Sequence, residues 1–315
     1  MKVLVTGFCG MIGRVLIDEL ESAGHELRLL DRSAPEQATV FMPGCPERAE
    51  APMKVNWPSI KAEITDSKAI RQAVEGMDAV IHLAAAVSGL PALGIETFRI
   101  NALGTYVVLD ACRLAGVKRF LSASSINAFG TFCWRLSGER PVYEKMPLDE
   151  TFKVVPEDSY SLSKYVGEET CAAFTRAFGI TTAAFRFAGV WTDDMYQAAR
   201  KDGLEPTTAW SDDLYQWVHV LDISRGVRRA LECPTLPAFG VYTLGAADTR
   251  QPEPTMEILT KFRPDLAARL ERPLVGREPL LSIRKAAQTF GYCPKYRFDG
   301  VTTKSFERSK DQVPV

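Results

Sequence analysis

Hydrophobic positions alternate between strand-like and helix-like spacing through the first 187 residues of the chain. Short apolar runs predict strands near residues 2–6, 26–30, 60–64, 79–83, 119–122 and 181–185. Between them, apolar residues three and four apart predict helices near residues 12–23, 67–75, 96–115 and 159–178. Strands that alternate with helices form parallel sheets with right-handed crossovers. The pattern therefore predicts an α/β fold, a doubly wound parallel sheet with helices on both faces.

The alternation weakens beyond residue 187, where tryptophans and short irregular elements accumulate. We interpret residues 188–217 and 233–315 as a smaller C-terminal lobe that binds substrate. Residues 218–232 have the pattern of a strand and a helix, and we expect them to return to the larger domain formed by residues 1–187.

Composition and charge exclude several classes of protein. The 315 residues carry a net charge of −1, with 46% hydrophobic and 24% charged residues, as in ordinary globular proteins. Phosphate contacts need a surplus of Lys and Arg, so the near-zero charge argues against a nucleic-acid partner. No apolar run reaches the roughly 20 residues that span a bilayer, so we expect no membrane partner.

Cysteine and histidine usage narrows the expected compartment and chemistry. The seven cysteines are odd in number, scattered and without a CxxC pair, which favours a reduced, cytoplasmic chain. The three histidines, His25, His82 and His219, lie far apart in sequence, so we expect no metal site.

A glycine-rich turn follows the first predicted strand. Gly7, Gly10 and Gly13 stand at intervals of three before a helix, where glycine allows a sharp turn and close approach of backbone to a pyrophosphate. Asp31 ends the second strand 18 residues past Gly13, where a carboxylate accepts from ribose hydroxyls and repels a 2′-phosphate. This favours NAD, although Arg32 offsets some of the repulsion and leaves NADP open. The alternative is a tight turn without a ligand.

A second sequence pattern indicates residues suited to acid–base catalysis. Tyr160 and Lys164 are four residues apart on a predicted helix, so phenol and ammonium share one face, and the ammonium is expected to lower the tyrosine pKa. Such a tyrosine exchanges a proton with a substrate hydroxyl while hydride passes to nicotinamide. Ser125 follows a predicted strand, at the sheet edge where ligands bind, and its hydroxyl could orient the same oxygen. Taken alone, Ser125 fits a cap or turn, and the spacing of Tyr160 and Lys164 fits an ordinary amphipathic helix.

Together these motifs resemble the extended short-chain dehydrogenase/reductases of the NAD-dependent epimerase/dehydratase family. The motifs that carry the resemblance are, in chain order, Thr6-Gly7-x-x-Gly10-x-x-Gly13, Asp31, Asp66, His82-Leu83-Ala84-Ala85, Asn101, Ser124-Ser125, Tyr160-x-x-x-Lys164, Arg186 and His219-Val220-x-Asp222. The resemblance implies a Rossmann-type sheet domain, NAD as cofactor, a small-molecule substrate and a homodimer formed through a four-helix interface. It also implies that His82 and His219 are structural.

The resemblance further assigns roles to individual positions. Catalysis would rest on Ser125, Tyr160 and Lys164. The residues implied to bind the cofactor are Gly7, Phe8, Gly10, Met11, Ile12, Gly13, Asp31, Arg32, Asp66, Leu83, Ala84, Ala85, Asn101, Ser124, Tyr160 and Lys164. The residues implied to bind the substrate are Ser88, Ser125, Asn127, Tyr160, Arg186 and Trp191. Arg186 could bind a substrate carboxylate or simply brace the strand end.

Two departures from the family pattern bear on the substrate. Members that act on nucleotide-diphosphate sugars carry an Arg-x-x-Asn-Val-Tyr-Gly-Pro run, whereas this chain has Arg186-Phe-Ala-Gly-Val-Trp-Thr-Asp193. An Arg-Asp pair of those members is replaced by Tyr215-Gln216. Because charge-assisted bonds to phosphate are strong, their loss favours a substrate without a diphosphate.

We therefore predict an NAD-dependent oxidoreductase acting on a secondary alcohol of a sugar, sugar acid or polyol. The alternatives are a nucleotide-sugar epimerase or dehydratase with tightly bound NAD and, more remotely, a non-catalytic NAD-binding protein. Residues 130–145, with Trp134, Arg135 and Arg140, are either a lid over the substrate or a plain surface loop. The proline-rich segment 35–58 is predicted to be irregular and to contact either the adenosine end of the cofactor or a second subunit.

Overall fold

The computed structural model describes residues 1–41 and 48–301. Pro43, Pro46 and residues 302–315, which the sequence predictions cover, lie outside the described residues. The strands of the described chain are β1 (Lys2–Thr6), β2 (Glu26–Asp31), β3 (Thr39–Phe41), β4 (Arg48–Glu50), β5 (Ser59–Lys61), β6 (Ala79–His82), β7 (Arg119–Ser125), β8 (Thr181–Phe187), β9 (Val190–Trp191), β10 (Val218–His219) and β11 (Phe239–Leu244). Its α-helices are α1 (Met11–Ser22), α2 (Ser67–Val74), α3 (Gly94–Phe98), α4 (Gly104–Ala115), α5 (Ser159–Phe178), α6 (Asp193–Asp202), α7 (Val220–Glu232), α8 (Thr255–Phe262), α9 (Pro264–Ala267) and α10 (Arg284–Phe290).

Seven parallel strands form the central sheet in the order β11–β8–β7–β6–β1–β2–β5. Helices α1 and α7 pack together on one face, and α2, α4 and α5 cover the other. The predicted doubly wound α/β fold is thereby confirmed. The chain winds outward in both directions from β1 and β6, and open α/β sheets bind ligands where the strand order reverses in this way.

Alternation along the strands divides the apolar residues between two cores. In β1, Val3 and Val5 join the core under α1 and α7, whereas Leu4 joins the core under α2 and α4. Because central parallel strands are covered on both faces, all four residues of β6 are buried. This explains why the sequence of β6 is continuously apolar until His82.

Two segments differ from the sequence prediction. The segment 35–58, predicted to be irregular, contains a 3-10 turn at Pro35–Gln37 and the antiparallel pair β3–β4. Arg14 of α1 donates a hydrogen bond to the Ala51 carbonyl, which attaches this segment to α1. The predicted helix at 96–115 is interrupted by a π-helical turn at Arg99–Leu103, between α3 and α4.

The C-terminal part is interwoven with the sheet more closely than predicted. Strand β11, within the range 233–315 that the sequence assigned to the smaller lobe, pairs with β8 and extends the central sheet. Outside the sheet, β9 pairs with β10, and Trp217 packs on Phe298 with ring centroids 4.3 Å apart. Beyond β11, the division into two domains stays a prediction.

The described helices include none that is both long and apolar enough to cross a membrane. The six cysteines within the described residues are all unpaired. Groups of three or more His, Cys, Asp or Glu side chains that could hold a metal ion are likewise absent from this part of the chain.

Candidate active site

A cleft of about 390 Å³ opens at the carboxyl ends of β1, β6 and β7, where the strand order reverses. Ligand pockets in proteins commonly have volumes of several hundred Å³. The lining consists of Gly7, residues 9–13, Asp31, Arg32, residues 62–64, residues 83–87, Ile100, residues 123–125, Asn127, Tyr160, Lys164 and residues 187–190. Most residues predicted to bind a cofactor therefore meet at one place.

The glycine turn forms the floor of the cleft between β1 and α1. Gly7 has a φ of +75°, and a Cβ there would lie 2.5 Å from the Ala84 nitrogen. A Cβ on Gly13 would lie 2.6 Å from the Phe8 Cα, so neither position admits a side chain. Helix α1 has no side-chain cap at its N-terminus, which leaves backbone N–H groups directed at the cleft. The Phe8 side chain is buried in the core and does not line the cleft.

Asp31 lies at the end of β2 and borders the cleft beside Arg32. Its carboxylate accepts hydrogen bonds from the Cys9 N–H at 3.1 Å and the Ser33 N–H at 3.0 Å. The side chain of Arg32 is exposed. The structure thus places both residues of the predicted cofactor-selectivity pair at the cleft.

Asp66 does not reach the cleft. Its Oδ1 accepts hydrogen bonds from the Lys68 and Ala69 N–H groups at 3.0 and 3.1 Å and caps α2. Residues 62–64, which follow β5, line the cleft instead. The sequence analysis missed this segment because an Asp before a helix suits a ligand contact and an N-cap equally well.

Asn101 supports the cleft wall from behind. Its side chain accepts from the Ala86 N–H at 2.8 Å and donates to the Ala86 carbonyl at 2.9 Å. It also donates to Ser163 Oγ at 3.0 Å, which links the wall to α5. Asn101 lies in the π-helical turn, a feature common near functional sites. It holds Leu83, Ala84 and the residues after them in place without lining the cleft itself.

Ser125, Tyr160 and Lys164, the predicted catalytic residues, all line the cleft. Asp158 caps α5 by accepting from the Tyr160 N–H at 2.9 Å, so Tyr160 lies in the first turn of the helix. Lys164 lies one turn later, with Nζ 5.6 Å from the centre of the Tyr160 ring. The Lys164 ammonium donates to the Ala123 carbonyl at 2.8 Å, just before Ser124 and Ser125 on β7.

Burial shifts the pKa values of both Tyr160 and Lys164. It raises the pKa of Tyr160 to about 12, while the adjacent Ser125 side chain acts in the opposite direction. It lowers the pKa of Lys164 to about 8, and the nearby Glu168 carboxylate counteracts this. Loss of solvation around the phenol therefore raises the pKa of Tyr160, contrary to the expectation that Lys164 lowers it.

Arg186 contacts other protein side chains and does not reach the cleft. Its Nε and Nη2 donate to the Glu168 carboxylate at 2.8 and 2.7 Å, and its guanidinium lies 4.3 Å from the centre of the Phe129 ring. Ser124 Oγ also donates to Glu168, at 2.6 Å. Arg186 does not line the cleft, so the structure supports the bracing role rather than the substrate-binding one. Glu168, absent from the sequence prediction, follows Lys164 by one helical turn, and that spacing was the available signal.

Of the remaining residues predicted to bind the substrate, one lines the cleft and two lie outside its lining. Asn127 lines the cleft, and its N–H donates to Ser125 Oγ at 3.1 Å. Ser88 lies outside the lining, and its Oγ accepts from the Leu90 N–H at 3.3 Å. Trp191 also lies outside the lining and packs on Trp217, with ring centroids 5.7 Å apart.

The fold and these motifs have counterparts among known proteins. A model of the NAD-dependent epimerase/dehydratase family matches residues 3–245. A uronate dehydrogenase of Pseudomonas putida is 28% identical over 249 residues, which cover 79% of this chain and 77% of that protein. A 3 beta-hydroxysteroid dehydrogenase/Delta 5-->4-isomerase of Mycobacterium tuberculosis is 30% identical over 196 residues, which are 60% of this chain.

The chain spans 47% of the length of that steroid dehydrogenase, about half. Among solved structures, a short-chain dehydrogenase/reductase superfamily protein from Agrobacterium tumefaciens with bound NAD superposes with a TM-score of 0.67. It is 21% identical, and the match covers 95% of this chain and 94% of that one. At this identity the superposition establishes the fold.

Proposed function

The chain belongs to the NAD-dependent epimerase/dehydratase family, and on that premise we propose that it oxidises a secondary alcohol of a small polar substrate. It is an enzyme of the extended short-chain dehydrogenase/reductase type with NAD as its cofactor. The substrate class we propose is a sugar, sugar acid or polyol. The observation that carries the proposal is that Ser125, Tyr160 and Lys164 line one cleft with the glycine turn.

The residues of the cleft fit NAD. Gly7 and Gly13 allow the tight turn between β1 and α1, where a Cβ would collide with neighbouring backbone, and the uncapped N-terminus of α1 offers N–H groups to a pyrophosphate. Asp31 would accept from the ribose hydroxyls, and residues 62–64 and 83–85 would flank the adenosine and the rest of the dinucleotide. When bound, NAD supplies the acceptor for the hydride that leaves the substrate carbon.

Tyr160 is the proposed acid–base residue. In its ionised form, Tyr160 would accept the proton that the substrate hydroxyl loses and become the neutral phenol, and Ser125 would hold the same substrate oxygen in place. Lys164 lies close enough to stabilise the tyrosinate by its charge, since an opposite charge nearby favours the ionised form. Asn127, on the same side of the cleft, is a proposed substrate contact.

The environment of Tyr215 and Gln216 supports a substrate without a diphosphate. The Gln216 side chain accepts from the Gly189 N–H at 2.5 Å, and the Tyr215 hydroxyl donates to the Ala209 carbonyl at 2.6 Å. The neighbouring Arg250 is paired with Asp213 at 2.6 Å, which neutralises its charge. These groups are thus occupied within the protein instead of being available for phosphate.

A substrate panel tests the proposal. The purified enzyme is incubated with NAD and hexuronates, aldoses or polyols, and NADH is followed by its absorbance. We expect at least one member of the panel to yield NADH, with activity at least 100-fold lower in Tyr160→Phe because the proton acceptor is lost. Tyr165→Phe, on the same helix but outside the cleft, is the matched control and should retain activity.

Other outcomes would favour the alternatives. Thermal stabilisation by a nucleotide-diphosphate sugar, with no net NADH from any alcohol, would indicate an epimerase or dehydratase. NAD binding with no turnover of either class of substrate would indicate a non-catalytic NAD-binding protein.

We also propose that the chain forms a homodimer. Exposed apolar side chains follow α3, the π-helical turn and α4, at Ile95, Leu103, Tyr106 and Leu114, with exposures of 90%, 47%, 53% and 53%. Spacings of eight, three and eight residues place them along one helical face, which a second copy would cover. Sedimentation should give a dimer that Tyr106→Glu converts to a monomer; a monomeric wild-type chain would contradict the proposal.

A further inference from the structure

Trp134 covers Tyr160 from the loop that connects β7 to α5. The two rings meet edge to face, with centroids 5.5 Å apart and an interplanar angle of 74°. Tyr160 is only 7% exposed, although its side chain lines the cleft. The indole is thus one of the groups that separate the phenol from solvent.

Gly89 provides the space in which the indole lies. A Cβ on Gly89 would lie 2.6 Å from Trp134 Cε3 and closer still to Cγ and Cδ2. No real Cβ makes such a contact, so any larger residue at position 89 would displace the indole. The segment after β6 and the loop after β7 therefore fit together at this one pair of residues.

The loop holds Trp134 in an unfavourable backbone conformation. Trp134 has a φ of +59°, in the left-handed region, which costs a non-glycine residue about 1–2 kcal/mol. Arg135, the next residue, donates to the Gly130 carbonyl at 2.6 Å and pairs with Glu157 at 2.6 Å. Ser137 also bonds to Glu157, its N–H lying 2.9 Å from Oε2. Backbone strain maintained by such anchoring contacts is characteristic of functional sites.

From these contacts we propose that Trp134, which packs on Tyr160 just outside the cleft lining, is a specificity-determining residue: from this position it limits the size of the alcohol that reaches the phenol. This deepens the function proposed above and rests on it. The substrate class it implies is a single small ring or short polyol. A fused-ring or nucleotide-linked alcohol would need the indole to move.

A series of alcohols of increasing size tests the proposal. The NAD-loaded enzyme and its Trp134→Ala variant are each assayed with cyclohexanol, a hexuronate and a 3β-hydroxysteroid. We expect Trp134→Ala to raise kcat/KM for the steroid relative to that for the hexuronate by about tenfold or more, since pocket size discriminates by such factors. Leu136→Ala, an exposed change in the same loop, is the control and should leave the ratio unchanged. An unchanged ratio in Trp134→Ala would overturn the proposal.

Gly89→Ala provides a reciprocal test that keeps the tryptophan. Its Cβ should displace the indole and shift the size preference in the same direction as Trp134→Ala. In the Trp134→Ala background, Gly89→Ala should add little, because the group it clashes with is gone. Melting temperatures of all four proteins verify folding. Additive effects of the two substitutions would show that Gly89 and Trp134 act independently and would contradict the proposed fit.

A measurement without substrate separates this inference from the proposed function. Acetylation of Tyr160 by N-acetylimidazole, mapped by mass spectrometry, should be slow in the wild type and at least severalfold faster in Trp134→Ala. Equal rates would show that Trp134 does not cover the phenol. If no alcohol is oxidised yet Tyr160 becomes reactive in Trp134→Ala, the cover over Tyr160 stands and the proposed dehydrogenase function fails.

Discussion

Arg186 and Glu168 form a two-point ion pair inside the protein, with N–O distances of 2.8 and 2.7 Å and side-chain exposures of only 4% and 2%. Arg186 belongs to β8 and Glu168 to α5, one helical turn after Lys164. Ser124, on β7, donates to the same carboxylate. Glu168 therefore joins the helix that carries Tyr160 and Lys164 to two strands, β8 through Arg186 and β7, which carries Ser125, through Ser124.

Removing one partner of this pair should destabilise the protein strongly. Arg186→Met leaves the Glu168 carboxylate buried without a counter-charge, which costs about 3–5 kcal/mol of unfolding free energy. The double variant Arg186→Met/Glu168→Met should recover most of that loss, since no charge is left buried. Urea unfolding of the three proteins measures both effects. A loss below about 1 kcal/mol in Arg186→Met would show that the pair contributes little.

The same pair shows where reasoning from sequence reaches its limit. The position of Arg186 at a strand end beside the cleft is readable from the pattern, but the direction of its side chain depends on alternation along β8. Residues 182, 184 and 186 face α5, whereas Phe187 lines the cleft. The cofactor role predicted for Asp66 stays a prediction, since its carboxylate caps α2 just beyond residues 62–64, which border the cleft.

The sheet itself was largely predictable, because buried parallel strands are short, apolar and regularly separated by amphipathic helices. The edge strand β11 and the strands outside the central sheet were less predictable from the sequence. Strand β3 is only three residues long in a proline-rich segment, and its antiparallel pairing with β4 is not evident from its sequence. Strand β11 follows irregular sequence, and only its pairing with β8 identifies it as part of the central sheet.

Lys164 should cost the folded protein stability. Its pKa is about 8 in the folded state against an unfolded value near 10.4, because burial disfavours the charged form. At neutral pH the folded chain must therefore keep a buried ammonium, at a cost of up to about 3 kcal/mol. We expect Lys164→Met to raise the unfolding free energy at pH 7 by about 1–3 kcal/mol while abolishing oxidation of the alcohol.

The direction of the effect of Lys164 on stability can be tested by measuring unfolding at several pH values. Between pH 8 and 10 the unfolded wild-type chain binds more protons at Lys164 than the folded chain, so wild-type stability should rise with pH relative to Lys164→Met. Denaturant unfolding at several pH values in this range measures the difference. If the difference in unfolding free energy between the two proteins does not become smaller as the pH rises, the folded-state pKa of Lys164 is close to its normal value.

Asp31 should set the preference for NAD over NADP. The Cys9 and Ser33 N–H groups bond to different oxygens of Asp31, so Asp31→Asn keeps an acceptor for one of them while removing the charge that repels a 2′-phosphate. Arg32, exposed at the cleft edge, would then attract the phosphate. We expect NADPH affinity to rise and NADH affinity to fall, so that the ratio of dissociation constants changes by about 30-fold if each effect is about 1 kcal/mol.

Titration of nucleotide fluorescence measures both constants. Asp18→Ala, an exposed acidic position on α1 outside the cleft, is the control for the change in net charge. An Asp31→Asn protein with the wild-type ratio would show that selectivity lies elsewhere in the cleft.

His82 should make the protein sensitive to acid. Its Nδ1 lies 2.8 Å from Thr6 Oγ1 and its Nε2 3.3 Å from Thr105 Oγ1. The Thr105 hydroxyl donates to the Asn101 carbonyl at 2.7 Å, so it accepts from Nε2–H, and the ring fits between the two threonines as the neutral tautomer. Burial, and then the charge of Lys164, lower the pKa of His82 to about 3.

Because the unfolded histidine has a pKa near 6.5, the unfolded chain binds more protons than the folded chain between about pH 6.5 and 3. The contribution of neutral His82 is therefore complete above pH 6.5 and is lost at about 1.4 kcal/mol per pH unit as the pH falls through this window. His82→Gln keeps a donor and an acceptor but cannot titrate. Between pH 7 and pH 4.5 the unfolding free energy of the wild type should therefore decrease by about 3 kcal/mol more than that of His82→Gln. All other titratable groups are the same in the two proteins and cancel in the comparison, so parallel pH profiles would mean that His82 is protonated in the folded chain as readily as in the unfolded one.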